Sequence, residues 1–290
     1  MHRITYLVET EDGWRVDYLM KKKFFVGSGM ISSLKRVDEG IMLNGRPVHT
    51  DVRVKQGDEI SFLIDDVGGF NPAPPVDIPL TIVYEDDYLV VVDKPAGLAT
   101  QGPPEIGDRT LAGVFSFRYG QDKSFHPVSR LDRGTSGLMA VAKCGYVHDR
   151  LRRQLHTDGY VRKYMALVEG IPRPPAAEID LAIARESDRS LKRIISEEGK
   201  PSKTFYKTLE KNDKYALLEV TPFTGRTHQI RVHLAAIGYP LVGDWLYGAE
   251  NAELISRPAL HSFFLSFRHP VFDKTFDFSS SLPEDIRVLL

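Results

Sequence analysis

A single cysteine, Cys144, stands in the 290-residue chain. No intrachain disulfide and no cysteine-rich metal site can form, which fits a reducing, cytoplasmic setting. No run of 18 apolar residues occurs, so no membrane-spanning helix is indicated. The opening stretch MHRITYLVETEDGW lacks the apolar core of a signal peptide. Basic charge is not in excess: 38 Lys and Arg against 39 Asp and Glu leave a net charge of −1. That argues against a uniformly basic nucleic-acid binder and leaves room for a local basic groove. The GxSxG elbow, the Walker phosphate loop and the HExxH zinc helix are absent too. The nine histidines are scattered. His228 and His233 share one expected helix at a spacing of five, which does not place two ligands on one face. They read as polar surface or satisfied, partly buried groups, and no metal is expected.

What is present suits a soluble globular protein: 42% hydrophobic and 27% charged residues. The length suggests one large domain with a small appendage. Residues 1–68 read as the appendage, a short helical pattern followed by strands. Asn44-Gly45 in LNGRPV is a strong hairpin signal, and Gly57-Asp58 in KQGDEI repeats it. Residues 69–78, rich in Gly and Pro, form the expected linker. From residue 79 to 290 the chain changes texture. LTIVYEDDYLVVVDKPAG predicts a hairpin around Glu85-Asp86-Asp87, and HPVSRL and GLMAVAK predict strands on either side of a turn. GYVHDRLRRQLHTDG predicts a helix with Val147, Leu151 and Leu155 on one face. THQIRVHLAAIG predicts another, with Thr227 as N-cap, Gly238 as stop, and Ile230, Leu234 and Ile237 as its buried stripe. YVRKYMALVEG, SKTFYKTLEK, KYALLEVTPF and HSFFLSFRHPV predict strands. In SKTFYKTLEK, Thr204, Tyr206 and Thr208 share one face, and Phe205 and Leu209 the other. Many strands with few helices imply an α+β fold with a mixed, largely antiparallel sheet.

The turn SRLDRGTSGL, residues 129–138, carries the chemistry. Asp132 lies between Arg130 and Arg133, and Arg226 waits between a glycine turn and a helix start. A guanidinium beside Asp132 would keep it ionised and fix its direction. An ionised, oriented carboxylate can be a nucleophile or a base. The other reading is a structural Asp that caps the GTSG turn.

Residues 79 to about 285 resemble the RluA-type pseudouridine synthases through five motifs in order. These are YEDDYLVVVDKPAGLATQG, SRLDRGTSGLMAVAK, RKYMALVEG, LLEVTPFTGRTHQIRVHLAAIGYPLVGDWLYG and ALHSFFLSFRHPV. The family often has His where Ser129 stands. The resemblance implies the pseudouridine synthase fold and isomerisation of uridine in RNA, by detaching the base at N1 and rejoining it through C5. No redox change occurs, so no cofactor is expected, and the base must leave its stack. It implies Asp132 as the catalytic carboxylate, acting at C1′ or on a C2′ proton, with Arg226 paired to it. Tyr164 would stack on the uracil, and Arg130 would fill the space the base vacates. Leu138 and Ile230 would form apolar walls. Lys94-Pro95 would support the Asp132 loop, and Arg150, Arg152 and Arg153 would contact phosphates.

Residues 1–68 resemble, through their helix-then-hairpin order, the αL RNA-binding module first seen in a small-subunit ribosomal protein. They depart from it in having ISSLKR, with Lys35 and Arg36, where an arginine-rich helix is usual. The expected partner is ribosomal or transfer RNA, and the expected state is a monomer without an obligate protein partner. Two rivals remain: a catalytically silent RNA binder of the same fold, and a nucleoside or glycoside hydrolase. The hydrolase would need a second carboxylate, for which Asp244 is the remote candidate.

Overall fold

The valine run in VVVD and the apolar run in GLMAVA sit at the centre of a ten-stranded sheet. The computed structural model describes residues 1–68, 72–102, 109–155, 157–248 and 254–290. The central strands are β6 (Leu89–Lys94) and β8 (Ser136–Ala142), paired antiparallel. Leu89, Val91, Leu138 and Ala140 face one core, while Val90, Val92, Met139 and Val141 face another. A strand buried on both faces needs apolar residues at every position, which is why these segments do not alternate. β5 (Thr81–Glu85) pairs with β6, forming the hairpin expected around Asp86.

The sheet continues from β8 through β15 (Leu260–Arg268), β9 (Tyr160–Glu169), β14 (Tyr215–Pro222) and β13 (Lys203–Lys211) to β10 (Ala176–Asp180). β7 (His126–Pro127) pairs with β8, and β16 (Thr275–Ser279) with β15. The β15–β8 contact is parallel and the other strand pairings are antiparallel. The expected α+β class with a mixed, largely antiparallel sheet is the observed one. A separate hairpin, β11 (Ile183–Arg185) with β12 (Arg193–Ile195), stands beside the sheet.

Each face of the sheet is covered differently. On one lie α3 (Leu111–Tyr119) and α5 (Gln229–Ala236), packed on Val92, Met139, Ala166 and Leu218. Thr110 caps α3 by accepting from Gly113 N. α3 escaped the sequence reading because Leu111–Ser116 is buried all round; a helix with no polar face shows no amphipathic period. On the other face lies α4 (Gly145–Gln154), which buries Tyr146, Val147 and Leu151 as expected.

Residues 1–64 build their own sheet, ordered β1 (Arg3–Leu7), β4 (Glu59–Leu63), β2 (Ile41–Leu43), β3 (Arg46–Pro47). The helices α1 (Val16–Lys22) and α2 (Ser28–Leu34) belong to it. Asn44 and Gly45, with φ of 50° and 72°, turn β2 into β3, as the Asn-Gly signal predicts. This sheet does not close its core alone. Leu19, Met20, Ile31 and Phe62 join Tyr146, Leu151, Tyr160 and Phe267 in one buried cluster. Asp66 ties the two parts further: its carboxylate accepts from Gly145 N at 2.8 Å and meets His126 Nε2 at 2.6 Å. Of the expected linker 69–78, residues 69–71 lie outside the described residues. Beyond them, Val76 N donates to Gly113 O on α3.

Candidate active site

The Asp132 turn rests on the loop that follows β6. Thr100 Oγ1 donates to Leu131 O at 2.7 Å and accepts from Leu131 N at 3.2 Å. Gly97 N donates to Arg133 O, and Arg133 Nε donates back to Gly97 O. Under that loop Lys94 is fully buried and donates to Pro95 O and Leu98 O. Burial pushes its ammonium down to about 7, against the pull of Asp132. The KPAG stretch is therefore a bed for the turn, and Thr135 N closes the turn by donating to Asp132 O.

The guanidinium beside Asp132 belongs to Arg231, whose Nη1 lies 3.6 Å from Asp132 Oδ2. Arg226, expected in that role, is turned away: its Nε and Nη2 donate to Pro201 O. The reason is helical phase. Arg226 precedes α5, whereas Arg231 is on its first turn, three residues after His228, so both His228 and Arg231 lie on the side facing Asp132. The N-cap of α5 is His228 and not Thr227, with φ of 57°. His228 Nε2 lies 3.8 Å from Asp132 Oδ2. Neither flanking arginine, Arg130 nor Arg133, forms an ion pair with Asp132.

Arg231 is itself held from behind. Its Nε and Nη2 donate to the two Asp244 oxygens, each at 2.7 Å, and both residues are buried. Burial opposes the guanidinium charge, but the Asp244 hydrogen bonds outweigh it and raise its pKa. Asp244 also accepts from Leu246 N and Tyr247 N. It is a brace for Arg231 and not a second acid at the site.

The Asp132 carboxylate opens into a cleft of about 800 Å³. Among the described residues Asp132 is the one acid that lines it, against six arginines: Arg130, Arg133, Arg152, Arg162, Arg226 and Arg231. A protein of net charge −1 thus concentrates positive charge in one groove. Its apolar wall is made by Val128, Leu131, Tyr164, Ile230 and Leu260. Tyr164 is 6% exposed. Burial pushes its phenol pKa up, with Arg162 opposing and Asp132 reinforcing. The Nε of Arg162 is buried without a hydrogen-bond partner in the protein.

The expected site residues thus divide. Asp132, Tyr164, Arg130, Arg152, Ile230 and Arg226 line the cleft. Leu138 does not: it faces the opposite core, against α4 and the N-terminal unit, because Met139 takes the cleft-side face of β8. Arg150 and Arg153 do not either. Their guanidinium groups lie 5.1 and 5.4 Å from the Phe25 ring centre, on the N-terminal unit. His233 is a satisfied core histidine, bonded to Thr204 Oγ1 and Leu181 O at 2.9 Å each. The sequence reading missed His228, Arg231, Arg162 and Tyr247. The spacing of three from His228 to Arg231 at a helix start was the available signal for the first two. Arg162 had a weaker one, two residues before Tyr164 and so on the same strand face.

The profile described as RNA pseudouridylate synthase matches residues 88–236. The chain is 36% identical over 291 residues to an uncharacterized RNA pseudouridine synthase of Chlorobaculum parvum, covering 88% of this chain and 86% of that one. It is 38% identical over 232 residues to ribosomal large subunit pseudouridine synthase D of Zymomonas mobilis, covering 74% and 73%. In structure it is similar to human RNA pseudouridylate synthase domain containing 1, with a TM-score of 0.58 and 29% identity over 70% of this chain and 83% of that chain.

Proposed function

The chain belongs to the RluA-type RNA pseudouridine synthase family, and from that premise we propose that it isomerises uridines of large-subunit ribosomal RNA, with Asp132 as the catalytic residue. The observation that carries this reading is the cleft, with one carboxylate facing a buried arginine amid five further arginines. A single acid suits a reaction at one ribose and lacks the paired carboxylates of a glycoside hydrolase. The surrounding guanidinium groups suit a polyphosphate backbone. The name of the Zymomonas relative favours large-subunit ribosomal RNA over transfer RNA.

The target uridine leaves its stack and enters between Tyr164 and Ile230, an exchange costing a few kcal/mol and least at a loop or bulge. Tyr164 supplies a face for stacking, worth about 1–3 kcal/mol. Arg130, at the mouth, fills the vacated place in the RNA. Arg231 fixes the Asp132 carboxylate as it acts at the ribose, on C1′ or on the C2′ proton. Arg162 has an unused buried N–H to offer the base or its ribose. Residues 1–68 serve as a guide for the RNA outside the cleft, beginning where Arg152 and His148 form its edge.

The test is pseudouridine mapping of all stable RNAs, with and without the gene. A site in large-subunit ribosomal RNA should vanish on deletion, return with the wild type, and stay absent with Asp132→Asn. Return of the modification with Asp132→Asn would sink the assignment of the carboxylate; loss of a transfer RNA site instead would correct the substrate.

A further inference from the structure

Three groups converge behind Asp132 that the reaction scheme above leaves unused. His228 Nε2 lies 3.8 Å from Asp132 Oδ2, the same oxygen that Arg231 approaches. On its far side, His228 Nδ1 lies 2.9 Å from Tyr247 Oη. Tyr247 Oη in turn accepts a hydrogen bond from Arg193 N, on β12, at 2.8 Å. A phenol has one proton. With a donor already occupying one side of Oη, that proton is directed to Nδ1. Neutral imidazole then carries its own proton on Nε2, toward the carboxylate. The backbone at His228 is in the left-handed region, at 57°, a conformation that costs energy in a non-glycine residue and that clusters at functional sites.

We propose that His228 is a positioning residue for pseudouridine formation: locked by Tyr247 in the Nε2–H tautomer, it holds Oδ2 of Asp132 together with Arg231, leaving Oδ1 to act on the ribose. The proposal rests on the reading of Asp132 as the catalytic carboxylate. Burial lowers the pKa of His228, and Arg231 and Arg193 lower it further against Asp132 and Asp244, so the ring is neutral and its tautomer matters. The hydrogen bond tightens as substrate closes the cleft, since such contacts are commonly long in the free enzyme.

Two substitutions separate this role from a backbone effect. Asparagine tolerates the left-handed conformation, but its amide reaches only to the place of Nδ1. Glutamine tolerates it less well, but its amide nitrogen reaches the place of Nε2. The assay follows tritium released from uridine C5 in an unmodified large-subunit ribosomal RNA transcript. His228→Asn should lower kcat on the order of 10- to 100-fold with little change in KM. His228→Gln should recover much of that loss despite its poorer fit to the backbone. Tyr247→Phe should lower kcat in the same direction by less. Equal losses for Asn and Gln, or a loss confined to KM, would overturn the proposal. A substrate-independent readout is the ¹⁵N spectrum of the free, full-length protein, with the His228 signals assigned by their loss in His228→Gln. An Nε2–H tautomer is expected, and an Nδ1–H tautomer overturns the proposal. Asp132→Asn is the control. If it retains turnover, the reading of Asp132 falls and this one with it. If it is inactive while both His228 variants match the wild type, only the role of His228 falls.

Discussion

Arg231 is shared between two carboxylates: Nη1 stands 3.6 Å from Asp132, while Nε and Nη2 grip Asp244 at 2.7 Å. The buried pair with Asp244 sets the guanidinium in place, and the looser contact with Asp132 leaves the catalytic carboxylate 32% exposed to the cleft. The acid that supports the site is thus different from the acid that acts in it.

Replacement of Arg231 by Leu should therefore damage stability as well as activity. Asp244 is fully buried, and losing its partner leaves an uncompensated charge, at a cost of about 3–5 kcal/mol. Arg231→Lys keeps one charge but cannot span both Asp244 oxygens. It should lose less stability than Arg231→Leu yet still lose most turnover. Denaturant unfolding and single-turnover tritium release measure the two effects separately. Wild-type turnover in Arg231→Lys would show that the geometry at Asp132 does not depend on this arginine.

Arg226→Ala should behave in the opposite way. Its guanidinium donates to Pro201 O at the cleft and touches no carboxylate. The fold should change by no more than about 0.5 kcal/mol. Binding to RNA should weaken, with the slope of log affinity against log salt reduced by about one. Turnover of RNA already bound should be retained. A collapse of turnover on bound RNA, with affinity unchanged, would return Arg226 to the role that its motif position first suggested.

The contrast between Arg226 and Arg231 shows where the sequence could be read and where it could not. The strands, α4, α5 and the hairpin turn at Asn44-Gly45 follow from local periodicity and turn chemistry. The Asp132 turn stood out because polar residues and glycines interrupt apolar strands. Which arginine reaches Asp132 depends on where α5 begins, and one residue of error in the N-cap rotates the helix by about 100°. Leu138 was misplaced for a similar reason: in a strand buried on both faces, apolar pattern does not reveal which face meets the cleft. Arg150 and Arg153 resembled a phosphate-binding run because nothing local announces that the N-terminal unit docks Phe25 against them. In β13 the more polar face is the buried one. Thr204 and Tyr206 are inside, and Thr204 serves Gln229 and His233.

Acid should weaken the fold partly through Asp86, the first Asp of the YEDDY motif. Burial raises its pKa, but contacts from His269, Tyr84, Leu89 and Tyr88 outweigh this and bring it to about 2. The side chain is 13% exposed. A depressed carboxylate pKa stabilises the folded state at pH above its ordinary value of 3.8. That stabilisation drains as pH falls through about 2. The difference of nearly two units corresponds to about 2 kcal/mol at pH 7. Asp86→Asn should therefore lose about 1–2 kcal/mol at pH 7, because the amide oxygen still accepts from the Tyr88 and Leu89 N–H groups. The deficit should shrink towards zero near pH 2. Urea unfolding at a series of pH values tests this, and a deficit independent of pH would refute the electrostatic origin.

Gly137 is the position at which the Asp132 turn is most exposed to damage by a single methyl group. It follows the turn as the second residue of β8, with φ of 111°. It pairs with Ser262 in the parallel contact between β8 and β15. A Cβ there would lie 2.6 Å from Ser262 N and closer still to Ser262 O. Both are backbone atoms of a central strand and cannot swing aside. Gly137→Ala should combine overpacking of about 1–3 kcal/mol with a conformational penalty of about 1–2 kcal/mol. Gly13→Ala is the matched control: its φ is 77°, but nothing lies within 4 Å of the added methyl. That substitution should incur the conformational penalty alone. If thermal unfolding finds Gly137→Ala no worse than Gly13→Ala, close approach of β15 is not what the glycine provides. If it is worse by the packing increment, loss of activity in Gly137→Ala follows from the turn: β15 can no longer sit beside the start of β8, and the backbone that presents Asp132 to the cleft shifts with it.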